Sequence, residues 1–304
     1  MEVFNTIKKE ATLHLMGVGS SVMLGVLLFT GFLYFPKTPT TPAAIAVEAV
    51  PKTISIAYSA IIGKAAVIYD PTTGRVLYSK NADVTMPLAS ITKLMTAQVA
   101  LNNIATNTLI TLSKRDVSVE GDAADWNLKE GDTIRLGDII KLGLTASSNH
   151  AMSAAASALG DAYIGDLNKT ASELGLTHTY FLNSTGLDLN TDTSGAYGSA
   201  SDIAKLAAAF MKDYPAYFEE STNESVSIPV SNRVVTAKAT SLPLLDIPGI
   251  IGAKTGYTDL AGGNLVAAFE ADVNHPLIAV VLGSTEEGRF IDIRTLIKEA
   301  RAAQ

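Results

Sequence analysis

Strand-forming sequence at both ends of a long helical middle is the feature that most limits the folds open to this chain. Residues 63–69 are apolar but for Lys64, Asp70-Pro71-Thr72-Thr73-Gly74 supplies turn chemistry, and residues 75–79 resume an extended pattern, which predicts a β-hairpin. Helical spacing follows. Ile91, Leu94, Met95, Gln98, Val99 and Leu101 share one face of a helix starting near Ser90, and residues 138–159 form an alanine-rich helical stretch interrupted at residues 147–149. Residues 162–174 and 201–212 read as further helices. Residues 226–230, 234–237, 263–270 and 276–283 read as strands. Residues 290–302 close the chain as an amphipathic helix, with Phe290, Ile293, Leu296 and Ile297 as a stripe for packing on a sheet. This order predicts an antiparallel sheet assembled from both ends of the chain, with a helical lobe inserted between them.

The amino-terminal segment is of a different kind. Residues 13–35 contain no Asp, Glu, Lys or Arg, and 23 such residues suffice to cross a bilayer as a helix. Lys8 and Lys9 precede the run, which places residues 1–12 on the cytoplasmic side, and Phe32, Tyr34 and Phe35 stand where an aromatic belt meets the outer interface. The segment is expected to be a signal anchor in the cell membrane. The competing reading is a signal peptide cleaved after Ala44-Ile45-Ala46, although the apolar run is longer than an ordinary leader needs. Residues 36–54, with Pro36, Pro39, Pro42 and Pro51 among threonines and alanines, form a semi-extended tether. Residues 55–304 are then the extracytoplasmic body.

Composition removes several kinds of chemistry. The chain carries 23 Lys and Arg against 30 Asp and Glu, a net charge of −7, and has no basic block, so nucleic acid is not an expected partner. It has no cysteine, which excludes disulfides, iron–sulfur clusters, thiolate zinc sites and a cysteine nucleophile. No H-E-x-x-H occurs, and no metal or other cofactor is expected. Among the four histidines, His14 lies in the apolar segment, His178 in a Thr-rich turn and His275 beside Pro276, and none fits a Ser-His-Asp arrangement. His150 reads as a helix-surface residue near residues 147–149. Trp126 reads as either a packing residue or part of a cleft rim.

Three short motifs remain. Ser90-Ile91-Thr92-Lys93 is the only S-x-x-K, and positions three apart on a helix face the same way, so the lysine amine can reach the serine hydroxyl. Serine needs a neighbouring base to act as a nucleophile, and lysine serves when desolvation or nearby positive charge lowers its pKa. Ser147-Ser148-Asn149 sits at the break in the helical stretch and offers a hydroxyl to relay a proton and an amide to grip a peptide. Lys254-Thr255-Gly256 offers a fixed positive charge, a donor for a carboxylate, and room for a substrate to run beside the backbone.

In this order and spacing the motifs resemble the S-x-x-K, S-x-N and K-T-G set of penicillin-binding proteins and class A β-lactamases. The chain resembles the low-molecular-mass penicillin-binding proteins, specifically the D-alanyl-D-alanine carboxypeptidases of serine peptidase family S11, over about residues 63–300. The likeness extends to Asp70-Pro71-Thr72-Thr73-Gly74-Arg75-Val76-Leu77-Tyr78, Asn81-Ala82-Asp83, Leu174-Gly175-Leu176, Asn183-Ser184-Thr185-Gly186-Leu187-Asp188 and Ser199-Ala200-Ser201-Asp202-Ile203-Ala204. His150 and Tyr257 stand where many relatives have Asp and His, which points to altered substrate preference.

The resemblance implies an α+β, transpeptidase-like fold with a five-stranded antiparallel sheet flanked by helices, a helical lobe, and a site in the cleft between them. It implies Ser90 as the acylated nucleophile, Lys93 as its base and Ser147 as the proton relay. Asn149, Lys254, Thr255 and Gly256 would hold the substrate, and the backbone N–H groups of Ser90 and Tyr257 would form the oxyanion hole. The implied partners are peptidoglycan stem peptides ending in D-Ala-D-Ala and β-lactam antibiotics. A DD-endopeptidase, a serine β-lactamase and a non-catalytic penicillin sensor are the alternatives. The β-lactamase is disfavoured because residues 183–190 hold no glutamate to activate a deacylating water.

Overall fold

A computed structural model describes residues 53–123 and 126–303. The expected cytoplasmic residues 1–12, membrane segment 13–35 and all of the tether but its last two residues lie outside the described residues. Among the described residues no helix is long and apolar enough to cross a membrane.

Strands β1 (Ala65–Asp70) and β2 (Arg75–Lys80) form the first hairpin. Its turn is organised by Asp70, whose Oδ1 accepts from the Thr72 and Thr73 amides at 2.9 and 3.2 Å while Gly74 adopts φ +71°. Short strand β3 (Met86–Pro87) and a 3-10 turn, Ala89–Ile91, lead into α1 (Thr92–Asn103). The inserted lobe follows. Strands β4 (Leu109–Thr111) and β5 (Thr133–Arg135) pair across the short α2 (Lys114–Val117), and α3 (Leu136–Thr145), α4 (Asn149–Leu159) and α5 (Tyr163–Glu173) pack around α1. Strands β6 (Tyr180–Phe181) and β7 (Ala196–Gly198) join β3 in a small sheet. Then come α6 (Ala200–Asp213), α7 (Pro215–Glu220) and the hairpin of β8 (Ser225–Val230) and β9 (Arg233–Lys238). Strands β10 (Ile250–Thr258), β11 (Gly262–Asp272) and β12 (His275–Ser284) and helix α8 (Gly288–Ala302) complete the chain.

The main sheet has the order β10-β11-β12-β1-β2, all pairs antiparallel, so the first and last strands meet where β1 pairs with β12 from Ala65↔Leu282 to Tyr69↔Ile278. Side chains alternate between the two faces of a strand, and here both faces are covered. Val67, Val266, Ala268, Ile278 and Val280 face the helical lobe and α6. Ile68, Leu265, Ala267, Phe269 and Ala279 face the other way, onto Ile293, Leu296 and Ile297 of α8. Each of those three α8 side chains is buried, a transfer contribution of about 1.5–3 kcal/mol apiece.

Two expectations need correction. The spacing in α1 suggests one apolar face, but Thr92 through Leu101 are all buried, because α3, α4, α5 and α6 contact the helix from several sides. The strands expected over 226–237 pair only with each other and not with the main sheet. Their alternating apolar residues, Val226, Ile228, Val230, Val235 and Ala237, are buried instead in the core that includes α3.

Closure of the sheet depends on a buried carboxylate. Asp292 of α8 accepts from the amides of Ile62 and Gly63 at 2.7 and 2.8 Å and from Ser284 Oγ at 2.7 Å, tying the segment before β1 to the end of β12. Asp292→Ala leaves three donors without their acceptor, and the expected loss is about 3 kcal/mol. Urea unfolding checks this as a lowered midpoint with an unchanged slope.

Candidate active site

The Ser90 turn is held by contacts from four directions. Leu88 N donates to Ala196 O at 3.0 Å, Asn264 Nδ2 donates to Pro87 O at 2.9 Å, and Thr92 Oγ1 donates to Ala89 O at 2.7 Å. Ala89 takes φ +48°, an uncommon conformation for a residue with a Cβ. Gly186 presses on this turn so closely that a Cβ added there would lie 1.8 Å from Ala89 O, so only glycine fits. Ser90 is left half-buried at the head of α1.

One turn along, Lys93 is fully buried, with Nζ 2.6 Å from Ser90 Oγ and donating to Thr185 O at 3.3 Å. Burial penalises its ammonium form and brings its pKa to about 7, although the negative charge of Asp122 acts in the opposite direction. An amine that is partly neutral near pH 7, in contact with a serine hydroxyl, can accept its proton.

Ser147 occupies the break between α3 and α4 with φ +63°, a strained conformation for serine. Its Oγ accepts from Lys254 Nζ at 2.9 Å, and the same amine donates to Thr255 O at 2.9 Å. Lys254 is buried on β10. Burial, followed by the charges of Lys93 and Arg289, pushes its pKa well below the ordinary lysine value. Burial thus acts against the fixed positive charge expected of Lys254, and an anionic ligand would act in its favour.

Asn149 is the first residue of α4, and Ser148 caps that helix by accepting from Ala151 N at 3.0 Å. Asn149 Nδ2 donates to Glu120 O at 2.8 Å, while its Oδ1 is buried without a partner. That leaves an acceptor free for a substrate N–H.

Strand β10 is the sheet edge beside Ser90. A Cβ added at Gly256 would lie 2.9 Å from Leu88 O and 3.2 Å from the amide nitrogens of both Ser90 and Ile91, so the absence of a side chain allows this approach. Arg289 Nη1 donates to Gly256 O at 2.7 Å and thereby fixes the peptide group that carries the Tyr257 N–H. The Tyr257 side chain is exposed. Thr255 is buried, with Oγ1 2.7 Å from Thr240 Oγ1. Thr255 is the donor in that pair, and Thr240 Oγ1 in turn donates to Thr145 O at 3.4 Å. Thr240 also borders a cavity of about 470 Å³ whose wall includes Arg289.

All the motif residues therefore meet in one cleft. The sequence offered no signal for Asp122, Thr240, Asn264 or Arg289, which reach the site through contacts between distant segments. His150 is not a base for Ser90, because its Nε2 lies 2.8 Å from Val119 O and its Nδ1 3.4 Å from Asp122. His275 pairs with Asp70. Trp126 packs on the core. The loop of residues 183–190 accepts from Lys93 and Thr96 through the carbonyls of Thr185 and Ser184. Its one carboxylate, Asp188, accepts from Thr258 Oγ1 and Leu260 N.

Residues 51–286 match the Peptidase S11 family, D-alanyl-D-alanine carboxypeptidase. The chain is 29% identical over 283 residues to D-alanyl-D-alanine carboxypeptidase DacF of Bacillus subtilis, covering 88% of this chain and 66% of that protein. It is 31% identical over 252 residues to the D-alanyl-D-alanine endopeptidase of Escherichia coli, covering 80% of this chain and 77% of that one. Among solved structures it is similar to penicillin-binding protein D2 from Listeria monocytogenes in the cefotaxime-bound form. That match has a TM-score of 0.71 at 27% identity and covers 81% of this chain and 99% of the other. The chain spans about two thirds or less of the length of several curated carboxypeptidases it matches.

A lysine held neutral by burial costs stability wherever the unfolded chain would keep it charged. The folded pKa of Lys93, about 7, lies below the ordinary value of 10.5, so the unfolded state binds more protons between those limits and stability rises with pH across them. The penalty is complete below about pH 7 and absent above the unfolded value. Lys93→Met is therefore expected to stabilise the protein by about 2–4 kcal/mol near neutrality and by much less near pH 10, as measured by urea unfolding at the two pH values.

Proposed function

The chain belongs to the D-alanyl-D-alanine carboxypeptidase family of serine peptidases, Peptidase S11, with its transpeptidase-like fold, and from that premise we propose that it removes the terminal D-alanine from peptidoglycan stem peptides. The observation that carries this reading is the pair of buried lysines, each against a serine hydroxyl, in a cleft whose edge strand runs beside Ser90. Ser90 is the nucleophile and neutral Lys93 the base. Lys93 takes the Ser90 proton as Oγ attacks the penultimate D-alanine carbonyl. The tetrahedral oxyanion is held by the backbone N–H groups of Ser90 and Tyr257, worth on the order of 3 kcal/mol each. Ser147 passes a proton to the leaving D-alanine nitrogen, the C–N bond breaks, and water then hydrolyses the acyl-serine.

Charge supports the choice of substrate. Lys254 and Arg289 are two cations whose charged forms burial disfavours, and a peptide's terminal carboxylate beside them would offset that cost. Thr255 Oγ1 can redirect its hydrogen from Thr240 to that carboxylate, Asn149 Oδ1 accepts a peptide N–H, and Gly256 leaves room for the substrate backbone. β-Lactams acylate Ser90 by the same steps, in keeping with the cefotaxime-bound relative. Residues 13–35 anchor the chain in the cell membrane with the catalytic body outside, or are removed by cleavage after Ala46. The endopeptidase relatives give a second reading, in which the cleaved bond lies in a cross-link.

Intact-mass analysis after penicillin treatment is expected to show one adduct, lost in Ser90→Ala. An adduct mapped to a peptide without Ser90 would overturn the nucleophile. Lys93→Arg retains charge but cannot be deprotonated at working pH, so its acylation rate should fall by about a thousandfold or more. A free D-Ala-D-Ala terminus should be hydrolysed far faster than its amide. Equal rates would favour the endopeptidase reading.

A further inference from the structure

Two positions along β10 orient the substrate. With the oxyanion at the Tyr257 N–H and the terminal carboxylate at Thr255 Oγ1, the acyl half of the peptide runs on past Thr258 and the departing residue lies toward Thr255. Thr240 stands behind that point, its Oγ1 2.7 Å from Thr255 Oγ1, and it is also a wall residue of the cavity of about 470 Å³. The cavity therefore lies on the leaving-group side of the scissile bond. Its volume is in the range that holds a drug-sized ligand, far more than the methyl group of D-alanine needs.

One wall is the segment after β9, at Thr240 and Pro243, and the other is the approach to α8, at Glu286, Glu287, Arg289 and Phe290. Arg289 is 7% exposed, and its guanidinium carbon lies 4.9 Å from the centre of the Phe290 ring. Nη1 is used by Gly256 O, Nη2 is 3.8 Å from Glu286 Oε1, beyond hydrogen-bond distance, and the buried Nε–H has no acceptor. A guanidinium has five N–H donors, and most of these are unspent. The amides that open α8 are not. Gly288 N donates to Thr285 Oγ1, Arg289 N to Thr285 O and Phe290 N to Glu287 O, so the helix end itself offers a ligand nothing. Glu286 and Glu287 are exposed, and among the described residues Glu287 forms no ion pair. The cavity thus combines a buried cation at its inner end, apolar surface on Pro243 and Phe290, and two carboxylates at its rim.

We propose that this cavity receives the side chain of the residue that leaves, and that it suits a D-configured residue with a long aliphatic side chain ending in an amine. The α-carboxylate of that residue lies with Thr255 and Arg289, its methylenes pack on Pro243 and Phe290, and its ammonium meets Glu286 and Glu287. The proposal rests on the DD-peptidase reading and deepens it, because a pocket of this kind admits leaving residues larger than D-alanine. The bond changes are those already given: the C–N bond breaks, the departing nitrogen takes its proton from Ser147, and water hydrolyses the acyl-serine.

The test uses the full chain and three peptides that share one acyl-D-alanyl group and end in D-alanine, D-norleucine or D-lysine, with kcat/KM for release of the last residue as the readout. D-Norleucine should be released at least about tenfold faster than D-alanine, because its added methylenes are taken out of water. D-Lysine should gain about threefold more at low ionic strength, and Glu286→Gln/Glu287→Gln should bring it back to the D-norleucine value. D-Norleucine and D-lysine released no faster than D-alanine would overturn the pocket. A D-lysine advantage that is absent, or that survives the double substitution, would overturn the part given to the two glutamates. Release of none of the three would overturn the DD-peptidase reading, and the proposal with it.

Discussion

Two lysine amines, Lys93 and Lys254, are buried in one cleft, and the chemistry available to the site depends on keeping them there. A solvated lysine holds its proton far above neutral pH. Desolvation of Lys93 removes that preference and leaves its Nζ against Ser90 Oγ with a pKa of about 7. Lys254 is driven in the same direction by burial and by the cations near it. A negative charge at the end of a substrate would offset the cost of keeping Lys254 charged there.

The architecture serves this arrangement through close approaches. Helix α1, buried on several sides, carries Lys93 into the core while leaving Ser90 at its head half-buried. Edge strand β10 brings Lys254 to Ser147 and, at Gly256, comes against the backbone of the Ser90 turn. The break between α3 and α4 presents Ser147 and Asn149. Each approach needs a specific local feature: a missing side chain at Gly186 and Gly256, a positive φ at Ala89 and Ser147, or a buried amide such as Asn264, which holds the Ser90 strap to the central strands.

Much of this was legible in the sequence because the information is local. The Ser90–Lys93 spacing places two groups on one helical turn, the break at residues 147–149 interrupts a periodic pattern, and the strands at both ends announce a shared sheet. What escaped depends on contacts between segments far apart in the chain. Arg289 follows two glutamates and a glycine in the sequence, which gives no hint that it reaches Gly256 O. Asp122 lies in an acidic loop, yet is buried against α4. The 226–237 hairpin has a strand pattern that cannot say which core it will join. The lowered pKa of Lys254 likewise follows from burial first and then from the charges of Lys93 and Arg289, none of which the K-T-G motif contains.

The central claim is that burial gives Lys93 a neutral amine at physiological pH and that this amine activates Ser90. The most direct measurement is the second-order rate of Ser90 acylation by a penicillin across pH 5–9, followed by mass spectrometry on the intact protein. The account predicts a rate that falls tenfold for each pH unit below about 7 and levels off above it, as the amine loses its proton. A rate that is flat across the range, or that begins to rise only near the ordinary lysine pKa, would contradict it.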